Sequence, residues 1–387
     1  MFRHFALSHL SAGFIAVLVG YTSSAAIVFQ AAQSAGATQA QISSWLLALG
    51  IGMFLTSGLL SLRYRAPILT AWSTPGAALL ITGLAGYDIH EATGIFLFFG
   101  VLTLLSGLTG WVEKLSSLIP MPIASAMLAG VLLRFGLDVF TSLQQEPGMV
   151  GLMFLCYLLG RRFFPRYTML VVLGAGLAWA GLNGAIQTQG MTLSLARPEF
   201  VMPHFNLLAL ISVGIPLFIV TMTSQNLPGI AVLKAHGYHP PLSPIITATG
   251  VTTLVLAPFG GFTYNLAAIT AAICMGDEAG DKPENRYLAA VAAAFFYLLT
   301  GLFGAAVVVF FAAIPEALIL AVAGLALLGT IGSGLQAALQ DRHERDAALI
   351  TFLVTASGMV LWGVGSAFWG LVAGMLASRI INYARPA

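Results

Sequence analysis

Two short segments, far apart in the chain, carry the polar and aromatic side chains best suited to holding a small ligand. They occupy residues 67–78 and 258–268. Hydroxyl and amide groups can donate hydrogen bonds to a carboxylate, and large rings can stack on an aromatic ligand. The pattern therefore predicts ligand binding. The candidate binding residues in the two segments are Trp72, Ser73, Thr74, Gly76, Phe262, Thr263, Tyr264 and Asn265.

Further polar candidates lie in two long apolar stretches. Tyr21 and Ser23 belong to the first, and Ser224, Gln225 and Asn226 belong to the other. Small polar residues also join helices within membranes, so the serines fit either role. Large amides are costly in lipid, which favours a binding role for Gln225 and Asn226.

Each of the two short segments is predicted to be a broken helix. Each begins with a proline, continues through residues unsuited to a helix, and then becomes alanine-rich. Pro75 suits a first helical turn, and Gly260-Gly261 permits an extended approach. Two helix starts facing each other at mid-membrane would form an anion site without a basic side chain. The alternative is a pair of ordinary proline and glycine kinks.

The composition excludes a soluble protein. Hydrophobic residues make up 58% of the 387 residues and charged residues only 8%, whereas a soluble domain carries about 25% charged residues. The net charge of +2 gives no reason to expect nucleic acid as a partner. The two cysteines have no metal-ligand spacing, and we expect no metal or other cofactor.

The apolar stretches predict an all-α polytopic membrane protein of about fourteen spans. With both termini in the cytoplasm, only Arg197 falls on an outer loop and only Arg134 within a span, so the positive-inside rule supports this count. The run 10–29 is expected to be the first span and not a cleaved leader. The predicted spans are 11–33, 42–62, 68–83, 93–111, 120–140, 148–162, 168–185, 207–224, 243–257, 263–276, 286–311, 316–335, 346–362 and 366–383.

Sequence blocks recur in the same order at an offset of about 195 residues, which indicates a duplication. Residues 1–185 and 207–387 are the predicted repeats of seven spans each. An odd number of spans inverts the second copy, an arrangement typical of secondary transporters. The matching blocks are Phe98-Phe99 with Phe295-Phe296, 106–110 with 300–304, Ile119-Pro120 with Ile314-Pro315, and Ala129-Gly130 with Ala323-Gly324.

Five stretches resemble bacterial benzoate/proton symporters of the BenE family, and more distantly the uracil permease and sulfate permease groups. The stretches are 21–26, 69–76, 224–229, 267–273 and 344–348. The resemblance implies a core domain (spans 1–4 and 8–11) that moves against a gate domain (spans 5–7 and 12–14). It also implies proton-driven benzoate uptake through a bacterial inner membrane, with substrate between the third and tenth segments and a homodimer as a possible assembly.

One departure from the uracil permease-like pattern concerns the proton. Those proteins carry carboxylates on the eighth and tenth spans, where this chain has Gln225, Asn226 and Asn265. Arg134 and Asp138, four residues apart on one helix, are interpreted as a local ion pair. The proton could travel on the substrate, its carboxyl pKa shifted by a low-dielectric pocket. The other candidate carriers are Asp138, Asp88, His90 and Glu91.

Other functions remain open at this point. A passive channel or uniporter for small anions would use the same fold, and the neutral pocket would also suit a nucleobase. An intramembrane enzyme is disfavoured, because the predicted spans contain no paired carboxylates, histidine-rich metal site or serine nucleophile motif.

Overall fold

The computed structural model describes residues 5–111, 120–164, 168–186, 195–276, 279–280, 282–361 and 364–381, with only the backbone of residues 22, 23, 231, 235, 312, 330, 364 and 365. It is an all-α bundle. Its helices are α1 (Leu7–Ser34), α2 (Gln39–Tyr64), α3 (Thr74–Gly83), α4 (Ile89–Leu108), α5 (Met121–Gln145), α6 (Pro147–Phe163), α7 (Thr168–Leu182), α8 (Leu207–Lys234), α9 (Leu242–Leu256), α10 (Ile269–Met275), α11 (Tyr287–Leu302), α12 (Gly304–Ala313), α13 (Glu316–Gln340), α14 (Arg345–Ala356) and α15 (Ser366–Ile381).

The helices confirm a polytopic membrane protein. Within the described ranges, seven helices are long and apolar enough to cross a membrane alone. This number includes α9 and α11 together with their adjoining 3₁₀ turns, as Leu242–Phe259 and Pro283–Leu302, and the bent α1 adds an eighth. The apolar helices α7 and α15 are shorter than that length limit. The exact number of about fourteen spans stays a prediction.

The third and tenth segments are broken helices, as predicted. The strand β1 (Thr70–Ala71) precedes α3, and the strand β2 (Asn265–Leu266) precedes α10. The strands pair antiparallel, with Thr70 opposite Leu266 and Ala71 opposite Asn265. The alternative of ordinary kinks is therefore wrong, because the interrupted backbone is extended and paired.

This pairing satisfies backbone groups that would be costly to leave unpaired at membrane depth. Serine side chains of α2 satisfy others: the Ser57 hydroxyl accepts from the Thr70 N–H at 2.9 Å, and the Ser61 hydroxyl donates to the Ile68 carbonyl at 2.9 Å. The Ala267 N–H donates to the Leu69 carbonyl at 2.9 Å.

Helix packing repeats itself between the two halves. The most extensive pairs are α5 with α13, α2 with α11, and α4 with α9, and each joins the first half to the second. In the predicted duplication, α2 corresponds to α9 and α4 corresponds to α11. The α2–α11 and α4–α9 pairs are therefore the same contact made twice, as inverted repeats require.

Some predicted spans differ in detail from the observed helices. The span predicted over 346–362 is helical only to Ala356, the end of α14, and a short strand follows at Val360–Leu361. The span predicted over 286–311 is interrupted at Phe303, between α11 and α12. Close packing on α2 accompanies this break, since a Cβ on Gly301 would lie 2.9 Å from the Gly50 Cα and one on Gly304 would lie 2.9 Å from the Leu46 Cβ. The helix α8 continues past the predicted end at residue 224 and contains two π-helical turns, Leu210–Gly214 and Met222–Asn226.

We expect Ser57→Ala to destabilise the protein. The change removes the acceptor of the Thr70 N–H and a hydroxyl 2.8 Å from the Thr70 hydroxyl, both fully buried. Leaving buried donors unpaired costs about 1–3 kcal/mol, so the melting temperature in detergent should fall by several degrees. Ser11→Ala is the matched control, because the Ser11 hydroxyl is exposed and donates only to the carbonyl of Ser8. Equal melting temperatures for the two variants would contradict the role of Ser57.

Candidate functional site

A cavity of ≈ 320 Å³ lies where the two broken helices meet. This volume is at the small end of the range for ligand pockets, about 300–1,000 Å³. The starts of α3 and α10 form part of its wall, and α1, α2, α8, α11 and α13 complete it. Its lining residues are Val19, Gly20, Ser24, Met53, Ala71, Trp72, Thr74, Pro75, Ser224, Gln225, Pro228, Ala267, Ala268, Ile269, Thr270, Tyr297, Ala326, Leu327 and Ser333.

Four of the residues singled out from the sequence line this cavity. They are Trp72, Thr74, Ser224 and Gln225. Tyr21 packs behind Trp72, with its ring edge-on at 5.0 Å between centroids. The side chain of Ser23 lies outside the part of the chain that the structure describes.

The other candidates lie behind the cavity wall and support it. Phe262 packs in a buried cluster with Trp45 and Phe96, and the Tyr264 hydroxyl donates to the Ala48 carbonyl at 2.7 Å. These side chains anchor the tenth segment to α2 and α4. The remaining supporting residues are Ser73, Gly76, Asn226, Thr263 and Asn265.

Trp72 is held in one orientation by α1. Its indole N–H donates to the Ser24 hydroxyl at 2.9 Å, and that hydroxyl donates to the Gly20 carbonyl at 2.7 Å. With only 4% of its surface exposed, the ring is a fixed wall of the cavity. A fixed ring can stack on an aromatic ligand without losing rotamer freedom.

The start of α3 presents Thr74 to the cavity. The Ser73 hydroxyl accepts from the Gly76 N–H at 3.0 Å, while the Thr263 hydroxyl accepts from the Ser73 N–H at 2.9 Å. Pro75 has no N–H. Thr74 therefore contributes the backbone N–H of the first helical position together with its hydroxyl. Only glycine fits at position 76, because a Cβ there would lie 2.8 Å from both the Leu217 Cδ1 and the Ser73 Oγ.

The start of α10 faces the same cavity through Ile269 and Thr270. Its N-cap, Ala268, offers no side-chain cap, so first-turn N–H groups are available as donors. The half-helix is held at both ends: the Asn226 side-chain oxygen accepts from the Leu266 N–H at 2.9 Å, and Arg286 donates to the Met275 carbonyl at 2.7 Å.

The cavity is electrically neutral. None of the described residues that line it is charged. The available donors are the Thr74 hydroxyl, the Gln225 amide and the N–H groups at the two helix starts. The Ser224 hydroxyl donates to the Val220 carbonyl of its own helix, which leaves its oxygen as an acceptor. The π-helical turn Met222–Asn226 carries Ser224 and Gln225, and such turns are frequent at functional sites.

Sequence reasoning missed the far wall of the cavity. Tyr297 of α11 lines it, as do Ala326, Leu327 and Ser333 of α13. Alanine, leucine and serine are common in membrane helices, so nothing in the local sequence marks these positions. The packing of α13 on α5 and on α1 brings this helix to the site.

Broken half-helices that meet at a cavity with a few hydrogen-bond donors, within an inverted repeat, define a membrane transporter. The model of the BenE family, described as "Benzoate membrane transport protein", matches residues 3–380. The chain belongs to this family, as its sequence blocks indicated. The family is one of membrane transport proteins, which confirms the prediction that the chain is not an enzyme.

Two relatives align along nearly the whole chain. "Inner membrane protein YdcO" of Escherichia coli (strain K12) is 50% identical over 373 residues, 96% of this chain and 95% of that protein. "Benzoate membrane transport protein" of Acinetobacter baylyi is 42% identical over 379 residues, 98% of this chain and 96% of that protein.

Solved structures share the fold at low sequence identity. SLC26A9 superposes with a TM-score of 0.66 and 12% identity, covering 96% of this chain, which spans 64% of that longer protein. The transmembrane domain of the cyanobacterial bicarbonate transporter BicA superposes with a TM-score of 0.60 and 14% identity, covering 97% of this chain and 98% of that domain. These structures confirm the inverted-repeat fold.

We expect Gly20→Ala to impair transport without destabilising the protein. A Cβ on Gly20 would project into the cavity, 3.4 Å from Thr270 Cγ2 and 3.7 Å from the Tyr297 hydroxyl, which is ordinary contact. Alanine also favours a helix by about 0.5–1 kcal/mol over glycine. The KM for substrate should rise several-fold while the melting temperature stays equal or rises.

The control for this variant is Gly174→Ala on α7, where a Cβ meets nothing within 4 Å. It has the same effect on helix propensity and leaves the cavity unchanged. If both variants transport equally well, the cavity is not the substrate site.

Proposed function

We propose that this protein is a secondary active transporter that imports benzoate, or a similar small aromatic carboxylate, together with protons by alternating access. The observation that carries the proposal is the neutral cavity between the broken half-helices and α13, with Trp72 beside the hydrogen-bond donors Thr74 and Gln225. The bacterial inner membrane, with both termini cytoplasmic, is the proposed location, and a homodimer is the proposed assembly.

The cavity has the two surfaces that an aromatic carboxylate needs. Trp72, Tyr297 and Leu327 form an apolar and aromatic part suited to a ring. The start of α3, with Thr74, and the amide of Gln225 are suited to a carboxylate. Hydrogen bonds to an ionised group are roughly twice as strong as those between neutral groups, so donors without a formal charge suffice. The name of the Acinetobacter baylyi relative supports benzoate as the substrate.

The position of the cavity supports alternating access. Helices of the proposed core domain form most of its wall, whereas Ala326, Leu327 and Ser333 come from α13 of the proposed gate domain. The pairing of β1 with β2 ties both half-helices together. Movement of the core against α13 would therefore expose the cavity to one side and then to the other, without separating the half-helices.

The neutral wall also supports a proton that travels on the substrate. The donors at the helix starts hold the carboxylate as it binds. Burial in a low-dielectric pocket then raises the pKa of its carboxyl group, so that the bound anion can take up a proton. The residues around position 90 have structural contacts in this protein: the Asp88 carboxylate accepts from the His90 and Glu91 N–H groups, and the Glu91 carboxylate accepts from the Asn206 amide at 2.7 Å. His90 lies 2.8 Å from the Met202 carbonyl.

In proteoliposomes, we expect protein-dependent, saturable uptake of labelled benzoate that an inward proton gradient accelerates. Thr74→Val should raise the KM roughly tenfold, because the bound substrate would lose one hydrogen bond to its charged carboxylate. Thr82→Val is the matched control, because Thr82 lies on the same helix and is exposed.

Other results of this uptake experiment would indicate other functions. Protein-free liposomes provide the baseline, since benzoic acid crosses bilayers unaided. Uptake that only equilibrates would indicate a uniporter or channel. Protein-dependent uptake of a nucleobase, with none of benzoate, would keep the fold and contradict the proposed substrate.

We expect Asp138→Asn to leave the ratio of protons to benzoate unchanged. Asp138 is partly buried on α5 and does not line the cavity. A substrate that carries its own proton needs no carboxylate on the protein. The ratio can be measured from paired pH-electrode and radiolabel traces, and loss of coupling in this variant would make Asp138 the proton carrier.

A further inference from the structure

A second cavity, of ≈ 770 Å³, lies at the start of α2 and away from the substrate site. The chain segment around Arg197 and Glu199 forms one side. The first residues of α2, with Gln39 and Ser43, form another, and α12 closes the third. No residue lines both cavities among those described. We call this second space the α2 cavity.

Arg197 is the charged group that distinguishes the α2 cavity from the substrate site. It is also the one basic residue that the predicted topology places on an outer loop. Backbone hydrogen bonds hold the chain before and after Arg197. The Ala196 N–H donates to the Leu302 carbonyl at 2.8 Å, and the Glu199 N–H donates to the Ser44 hydroxyl at 2.9 Å. The backbone that carries the guanidinium is therefore held at the cavity.

Ser43 brings an unpaired hydroxyl to the wall of the α2 cavity. The residue lines the α2 cavity with only 6% of its surface exposed. Its hydroxyl has no hydrogen-bond partner among the described residues. Buried hydroxyl groups are almost always paired, and the Ser43 oxygen is closed off in the cavity wall, so the hydroxyl would reach a ligand in the cavity by rotation of the side chain. The hydroxyl lies in the first turns of a 26-residue helix, where the positive end of the helix dipole favours an anion.

The rest of the lining limits the chemistry of that anion. Ala305, Val308 and Val309 of α12 present an apolar surface. The Glu199 carboxylate also lines the cavity, so its charge offsets that of Arg197. The negative charge of Glu199 disfavours a dianion such as free phosphate. A ligand with one carboxylate near Arg197 and an apolar body against α12 matches both the charged and the apolar side of the cavity.

We propose that the α2 cavity binds a small amphiphilic monocarboxylate, a class that includes aromatic carboxylates, through Arg197 and Ser43. Binding there would hold substrate at the predicted outer face before it enters the transport site. That loading role rests on the proposed function, whereas the binding site itself does not.

The test is equilibrium binding of labelled benzoate to the purified protein in nanodiscs of zwitterionic lipid. Gln225→Leu, or Thr74→Val should the first variant not fold, weakens the central site and leaves the binding that belongs to the α2 cavity. In this background, Arg197→Gln should weaken the residual binding on the order of tenfold, because a charge-assisted hydrogen bond is lost. Glu199→Gln should strengthen it several-fold by removing the repelling charge.

Arg342→Gln is the matched control, because Arg342 is exposed and does not line the α2 cavity. Residual binding that is absent, or unchanged by both Arg197→Gln and Glu199→Gln, would overturn the proposal. Displacement of benzoate by phosphatidylglycerol in the nanodisc would assign the cavity to a lipid headgroup and overturn it as well.

Failure of the proposed function would look different. In that case residual binding would still respond to Arg197 and Glu199, while proteoliposomes would show no protein-dependent benzoate uptake.

Discussion

The hydrogen bonds between β1 and β2 are the contact on which this architecture depends. A membrane-spanning helix satisfies its own backbone, but an extended segment at the same depth must find partners elsewhere. Here the partner is the corresponding segment of the other repeat. Ser57 and Ser61 of α2 and Asn226 of α8 satisfy further backbone groups. Because the extended segments are stabilised in this way, α3 and α10 can start inside the protein.

The starts of these half-helices explain how a neutral wall can attract an anion. Arginine or lysine at this depth would carry a large desolvation cost. Backbone N–H groups at a helix start provide partial positive charge that is fixed by the fold. The helix α10 is only seven residues long, so its contribution comes from local N–H groups more than from a long helix dipole. A site built in this way can release its ligand readily, which a transporter requires.

Several features of the fold could be predicted from the sequence because they have local causes. Apolar length marks the membrane helices, and proline or glycine beside short apolar runs marks the two interruptions. The duplication follows from matched blocks, even though single blocks consist of common residues. Trp72 and Thr74 were recognisable because they lie next to broken backbone, and Gln225 because a large amide is costly in lipid.

What could not be predicted depends on contacts between distant helices. Tyr297 and Ser333 reach the cavity only through the packing of α11 and α13. Conversely, Phe262 and Tyr264 have the right chemistry for a ligand but face the opposite way, into the contact with α2 and α4. Residue type alone does not indicate which side chains of an extended segment face the cavity. The π-helical turn that carries Ser224 and Gln225 also left no sign in the sequence.

The pairing of β1 with β2 also has a consequence for biosynthesis. Residue 70 leaves the ribosome long before residue 266, its partner, has been made. During that interval the first half must reside in the membrane with part of its extended backbone unpaired. The Ser57 and Ser61 hydroxyls belong to the same half, so they can satisfy Thr70 and Ile68 as soon as α2 has inserted. These two serines therefore reduce the number of unpaired backbone groups in the first half while the second half is still being made.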